Sequence, residues 1–276
     1  MYNRGQCFKD DLAVLEQKKK DFIVERSGSY TYLKYEGKRL QYGPADHGNI
    51  SGAHLSKIVR ADVDKLVTLK QSDPYYPYDP PSVYVHQVNA ANVVGEYIFQ
   101  IDIKNCYWQT ALTEGIISKD TYLKGLRKRE WKVGRNAAIG SLDKKTVVTQ
   151  YKNGEEVDSE RFLQPMHYRF AREKVIRTVD RMAQDVINSV CEEGEFLMFV
   201  TDCFFVTSSA VQKIRKYLTS KGYGYTEACV VIRAQYTEKK VVVWDKIETI
   251  YQGPGKPKIM KTEKDKFIHY TSHSII

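Results

Sequence analysis

The sequence predicts an α+β fold, an antiparallel sheet covered on one face by helices, and three observations predict it. From about residue 95 onward, the segments run strand, helices, hairpin, long helix, hairpin, helix, strands. The run 165–192 repeats apolar residues at three- and four-residue spacing, the period of a helix with one buried stripe. The apolar runs 95–103, 195–201 and 203–207 are short and read as buried strands. Strands grouped in hairpins, with helices between the groups, suit an antiparallel sheet with helices on one side.

Taken in order, residues 11–25 read as a helix followed by an extended segment. Residues 29–42 alternate Tyr, Leu and polar residues around Glu36-Gly37, which predicts a hairpin. Residues 60–71 read as a short helix, and residues 72–81 hold four of the eight prolines. That proline-rich stretch is the linker, closing an N-terminal α+β region, 1–80, whose role the residues do not disclose. Residues 81–252 form the second region, and 253–276 a basic, weakly patterned tail. Within the second region, 118–132 looks helical and strongly basic, with Lys124, Arg127, Lys128, Arg129 and Lys132. Residues 144–151 and 155–161 flank Asn153-Gly154, a strong hairpin signal. In the long helix, Met166, Phe170, Ile176, Val179, Met182, Val186 and Val190 form the stripe, with Arg169, Arg172, Arg177 and Arg181 outside it. Pro165 sits where a helix start tolerates proline, and Gly194 ends the segment. Strands 195–201 and 203–207 then flank Asp202. Ser208 or Ser209 is placed to cap a helix running to Lys221 and ended by Gly222. Residues 225–234 and 239–244 supply two further strands.

Composition narrows the class. The chain has 276 residues with 42% hydrophobic, enough for one large domain or two small ones. It shows no basic-then-apolar leader and no apolar run near the roughly 18–20 residues that span a bilayer. A soluble protein without a membrane partner, located in its own or a host's cytoplasm, is therefore expected. Five cysteines without a CxxC pair argue against a zinc ribbon or a disulfide framework. The net charge of +9 attracts phosphate backbones. The 20 tyrosines offer stacking surfaces, although strand packing accounts for them equally well.

Two aspartates carry the chemical argument. Asp102 follows the apolar run 95–101, and Asp202 sits between LMFVT and CFFV. An acid between buried strand residues is costly unless paired or metal-bound. Phosphoryl transfer to a hydroxyl can use two Mg²⁺ ions about 3.5–4 Å apart, held by converging carboxylates. Taken singly, each Asp is equally a turn former. Lys132 and Asn136, four apart, share one face of a helix, where a lysine can neutralise phosphate. A basic solvent-facing helix explains that cluster as well.

Three segments in order resemble the polymerase motifs of family B DNA polymerases. Asp102-Ile-Lys-Asn-Cys-Tyr107-Trp resembles the first, an Asp followed five residues later by a Tyr. Lys132-Val-Gly-Arg-Asn136-Ala-Ala-Ile-Gly140 resembles the second, and Val200-Thr201-Asp202-Cys203 the third. Lys239-Lys240 stands near the place of the family's Lys-x-Tyr element. The resemblance implies a palm-type sheet, two Mg²⁺ or Mn²⁺ ions on Asp102 and Asp202, and dNTP and primer–template DNA as substrates. It implies Tyr107 under the incoming sugar, excluding a 2′-hydroxyl, and Lys132 on the triphosphate. Asn136 and Gly140 would line the nucleotide pocket, and Lys239, Lys240, Arg129 and Arg135 would contact primer or template. It places Asp102 and Asp202 on neighbouring strands, with Lys132 and Asn136 facing them from a helix.

The resemblance covers roughly residues 90–245 and departs from the family in places. Val200 stands where the third motif has its first Asp, Ala137 and Ile139 where Ser and Tyr are usual, and Trp108 where Pro is usual. Only about 24 residues separate the first two motifs, so very short fingers (about 111–140) are expected. Residues 1–100 are too few for a proofreading exonuclease, and the 36 after Lys240 too few for a full thumb. Partner subunits would then supply those functions. Two alternatives stay open: a non-catalytic palm-like nucleic-acid-binding subunit of a replication assembly, and a reverse-transcriptase-like polymerase.

Overall fold

A computed structural model of the chain describes residues 4–27, 30–43, 48–69, 90–128, 131–236, 241–251 and 263–269. Its elements begin with α1 (Arg4–Gln17), β1 (Phe22–Ser27), β2 (Tyr30–Tyr35), β3 (Lys38–Tyr42) and α2 (Gly48–Leu69). They continue with β4 (Tyr97–Ile103), α3 (Cys106–Thr113), α4 (Lys119–Leu126), α5 (Lys132–Gly140), β5 (Thr146–Lys152) and β6 (Glu155–Phe162). The last are α6 (Met166–Asp185), β7 (Phe196–Val200), β8 (Cys203–Val206), α7 (Val211–Ser220), β9 (Tyr225–Tyr236), β10 (Val241–Tyr251) and β11 (Glu263–His269). The fold is α+β with two antiparallel sheets, where the sequence alone suggests one. The chain divides into two compact units, Met1–Tyr76 with Gly115–Arg172, and Pro77–Glu114 with Glu173–Ile276. The break near residue 80 thus has a counterpart at 76/77, but residues 115–172 belong with the N-terminal region rather than with the second one.

The first unit is built on two tight hairpins. Glu36 (φ 45°) and Gly37 (φ 72°) turn β2 into β3, and Asn153 (φ 53°) and Gly154 (φ 80°) turn β5 into β6. Paired positive φ values match the right-handed strand twist. A side chain at Gly154 would also meet the Glu16 carbonyl at 2.6 Å, so only glycine fits there. The sheet order is β3-β2-β1-β5-β6, because β5 pairs with β1 from Phe22↔Tyr151 to Ser27↔Thr146. Phe8, Leu12 and Leu15 of α1 cover one face, against Phe22, Val24 and Leu33. Here α2 is much longer than the helix read at 60–71, and the basic stretch 118–132 divides between α4 and the start of α5.

The second unit holds the six-stranded sheet β11-β10-β9-β4-β8-β7. One face carries Ile101, Ile103, Phe204 and Val206, packed under Cys106 of α3, Val179, Met182 and Ala183 of α6, and Ile214 and Leu218 of α7. Helices on this face match the layering read from the sequence. The other face carries Ile98, Cys203, Phe205, Val230, Ile232, Val242 and Trp244. The α6 stripe is buried from Val175 to Val186, but Met166 in its first turn is 38% exposed. A π-helical turn, Val186–Val190, ends the long helix.

Two details differ from the sequence reading. Ser208 and Ser209 lie in a single 3₁₀ turn before α7, and the residue preceding α7 is Ala210, without a side-chain cap. Ser209 Oγ instead shares a hydrogen bond with Thr207 Oγ1 at 3.0 Å. The tail is not featureless: β11 pairs with β10 from Val241↔His269 to Lys246↔Glu263 and forms a sheet edge. Its sequence, EKDKFIH, is mostly charged and shows no clear strand period. The linker at 72–81 lies outside the described residues. Among the described residues, no helix is long and apolar enough to cross a membrane.

Candidate active site

The second unit brings Asp102 and Asp202 to one end of its sheet. Asp102 is the penultimate residue of β4 and stands opposite Cys203 of β8. Antiparallel partners have Cα atoms roughly 4.5–5.5 Å apart. Asp202 directly precedes Cys203, and its carbonyl accepts the Ile103 N–H at 2.9 Å. The two aspartates are therefore neighbours on adjoining backbone. Their charges also converge on one thiol. Burial pushes the Cys106 thiol well above its usual range, and the Asp202 and Asp102 carboxylates push it further.

The loop that presents Asp202 is a tight turn. The Asp202 N–H donates to the Val200 carbonyl at 2.7 Å, closing three residues around Thr201. Thr201 has φ 61°, a conformation that β-branched residues rarely adopt. Such backbone costs of order 1–3 kcal/mol and persists where its surroundings hold it. Part of that hold is Tyr107, whose hydroxyl donates to the Thr201 carbonyl at 2.8 Å. Tyr107 reaches it because Asn105, in the left-handed region at φ 52°, turns the chain from β4 directly into α3. Inside α3, Thr110 Oγ1 donates to the Cys106 carbonyl and shares a hydrogen bond with the Tyr223 hydroxyl, both at 2.8 Å.

The donor set is small and hard: two carboxylates, in a place where the turn is fixed by hydrogen bonds. Among the described residues, no group of three or more His, Cys, Asp or Glu side chains is placed to hold a metal ion. Two carboxylates nevertheless fit Mg²⁺, which keeps several waters and takes further oxygens from substrate phosphates.

The remaining site residues fall elsewhere. Lys132, Asn136 and Gly140 lie on the exposed side of α5, in the first unit. A Cβ at Gly140 would meet open space. Arg135 corrects the sequence reading. It is only 6% exposed, and its guanidinium donates to the Gly125 carbonyl at 2.8 Å, tying α5 to α4 rather than meeting a strand. Burial holds its pKa below the usual range. Arg129, Lys239 and Lys240 lie outside the described residues. Sequence reasoning missed Thr201, Asn105 and Cys106. Asn105, an αL-tolerant residue between strand and helix, carries a readable signal, whereas a threonine gives no hint of positive φ. Compared with known proteins, the chain matches no protein-family model, no curated protein and no solved structure.

Proposed function

We propose that the chain is a template-directed DNA polymerase that joins dNTPs to a primer 3′-hydroxyl, with Asp102 and Asp202 holding two Mg²⁺ or Mn²⁺ ions. The observation that carries this reading is the placement of those two aspartates, far apart in sequence, on adjoining backbone at one sheet end. The ordered resemblance of the segments at 102–108, 132–140 and 200–203 supports it. Bound ions supply charge neutralisation at the attacking and leaving oxygens. The primer oxygen attacks the α-phosphorus, the bond to the bridging oxygen breaks, pyrophosphate leaves, and the hydroxyl proton passes to solvent. On this reading Asp102 and Asp202 would hold the ions, and the ions would supply the positive charge that the triphosphate meets. Tyr107, whose hydroxyl donates to the Thr201 carbonyl in the turn that carries Asp202, would lie under the incoming sugar and exclude a 2′-hydroxyl. The resemblance gives Lys132 and Asn136 to the triphosphate. Partner subunits supplying thumb or exonuclease functions belong to the same reading.

Primer extension with dNTPs and Mg²⁺ or Mn²⁺ tests it, comparing wild type with Asp102→Asn and Asp202→Asn. Each substitution is expected to lower extension by about 10²–10³-fold or more, the scale of losing a preorganised electrostatic group. Extension that survives either substitution overturns the mechanism. Val200, standing where the third motif has its first Asp, favours one second reading, a non-catalytic nucleic-acid-binding subunit, against which the retention of both Asp102 and Asp202 speaks. No extension by wild type, with nucleic-acid binding unchanged in both variants, would support it. Extension on an RNA template alone would instead favour the reverse-transcriptase-like alternative.

A further inference from the structure

The first unit contains a row of cations and aromatic rings on the sheet face opposite α1. Tyr30 and Tyr32, two apart on β2, project from that face, and their rings stack with centroids 6.3 Å apart. The Arg39 guanidinium of β3 lies 4.1 Å over the Tyr32 ring, and Lys144 Nζ 5.9 Å over the Tyr30 ring. Lys144 then opens onto a cavity of about 570 Å³ that it lines with Lys57 and Arg60 of α2. Arg60 in turn stands 5.5 Å over the Tyr168 ring. Cations and rings thus follow one another from Arg39 through Tyr32, Tyr30, Lys144 and Arg60 to Tyr168 without leaving the unit.

The cavity has the chemistry of an anion site. Three cations face it and Asp64 is the acid in its lining; His167 Nε2 sits 3.1 Å from the Asp64 carboxylate. Burial, and then the neighbouring Arg60 charge, hold the Lys144 ammonium below its usual range. The Arg60 Nε is buried without a hydrogen-bond partner, while its Nη2 donates to the Ser141 carbonyl at 3.1 Å. A buried guanidinium donor left unmatched among like charges is a poor structural device and a good phosphate seat.

We propose that this face of the first unit binds single-stranded nucleic acid, stacking bases on Tyr30 and Tyr32 and seating a backbone phosphate between Lys57, Arg60 and Lys144. Half-buried rings with cations beside them suit an unpaired strand, because every base has a π-face and every linkage a charge. A duplex hides its bases and gains only from the cations. The strand is confined to the β2–β3 side, since β6 carries Glu155, Glu156, Asp158 and Glu160 on the far edge of the same sheet. The proposal does not rest on the reaction assigned to Asp102 and Asp202, which lie in the other unit.

The test is fluorescence anisotropy of the full chain with labelled 20-nucleotide oligo-dT, oligo-rU and a duplex of equal length, across a salt series. Lys57→Gln with Lys144→Gln should weaken oligo-dT binding about ten-fold and flatten the salt slope by about 0.7, the value for one phosphate contact on a single strand. Tyr32→Leu should weaken it on the order of ten-fold with the slope unchanged, as loss of stacking does. The matched control is Lys216→Gln with Lys221→Gln on and beside α7, which removes the same charge from the second unit. Equal weakening by that control, no weakening by the track variants, or duplex binding as tight as single-strand binding would each overturn the proposal. The two oligonucleotides decide between a DNA and an RNA strand. Primer extension is measured beside anisotropy on the same variants, so loss of synthesis and loss of strand binding are read separately. Circular dichroism of each variant separates a lost contact from a lost fold, and Lys57, exposed on α2, supplies a single substitution that folding tolerates.

Discussion

At Asp62 on α2, burial and hydrogen bonding pull one carboxyl in opposite directions. Burial works to raise its pKa, and the hydrogen bonds from Thr121 and Ser118 together bring it below the ordinary carboxylate range. The Ser118 N–H and hydroxyl donate to Asp62 Oδ2 at 2.8 and 2.9 Å, at the start of α4, where the helix dipole also favours an anion. A depressed folded pKa gives stability that is present above the unfolded value near 4 and disappears as pH falls through the folded one. Asp62→Asn is therefore expected to cost about 2 kcal/mol at pH 7, the scale of charge-assisted hydrogen bonds. The gap from wild type should close below about pH 4 in melting curves taken from pH 7 to 2.5. A gap that persists at acid pH would show that Asp62 acts by shape and not by charge. Arg135 teaches the complementary point. Its sequence neighbourhood reads as a basic surface, yet one guanidinium of that group is buried as a helix tie. Charge counts in sequence do not reveal which cation a neighbouring carbonyl has claimed.

Helix α2 shows why element boundaries were only partly legible. Its second half overlaps the helix read at 60–71. Its first half contains Gly52, and glycine in a helix interior costs about 1 kcal/mol against alanine. The reason for Gly52 lies 85 residues away in sequence, on α5. A Cβ added at Gly52 would stand 3.2 Å from the Ala137 Cβ and 3.8 Å from the Gly134 Cα. Gly52→Ala should be nearly neutral, because the gain in helix propensity offsets a displacement of a few tenths of an ångström. Gly52→Leu should destabilise the first unit by about 1–3 kcal/mol, the usual cost of overpacking. Urea unfolding measures both, and a leucine variant as stable as wild type would mean that α2 and α5 have room to separate. The same helix contact accounts for Ala137, which departs from the serine of the polymerase pattern: at this spacing a small residue faces Gly52. The hairpins at Glu36-Gly37 and Asn153-Gly154 were readable because their turns are local. Strand β11 was not, because only pairing with β10 makes that charged segment a strand.

Across the whole molecule, proline marks one boundary and pairing sets the others. The stretch 72–81 points to a division that compactness places at 76/77, but nothing local announces that residues 115–172 return to the first unit. What returns them is the six-residue register of β5 on β1, the stack of Tyr151 on Phe22 with centroids 4.3 Å apart, the Asp62 grip on Ser118, and the packing of α5 on α2. A chain begun at residue 77 would keep the second unit whole and leave 115–172 without these partners. It would expose the β1-facing edge of β5 and the apolar side of α5, and such edges aggregate. The second unit, by contrast, closes on itself at the excursion. Lys174 Nζ lies 3.2 Å from the Glu114 carboxylate and donates to its carbonyl at 3.1 Å, and Thr178 donates to the same carboxylate at 3.0 Å. Residues 77–114 joined by a short glycine linker to 173–276 are therefore expected to fold and to melt cooperatively, with near-ultraviolet dichroism from Trp108 and Trp244. The chain 77–276 should instead be several-fold less soluble and prone to oligomerise, as sedimentation would show. If 77–276 proves as soluble as the full chain, residues 115–172 hold together without the N-terminal strands, and the pairing of β5 with β1 is not what keeps them folded. If the linked second unit fails to fold, the six-stranded sheet that carries Asp102 and Asp202 depends on the first unit, and mutations in either would then be expected to disturb the same site.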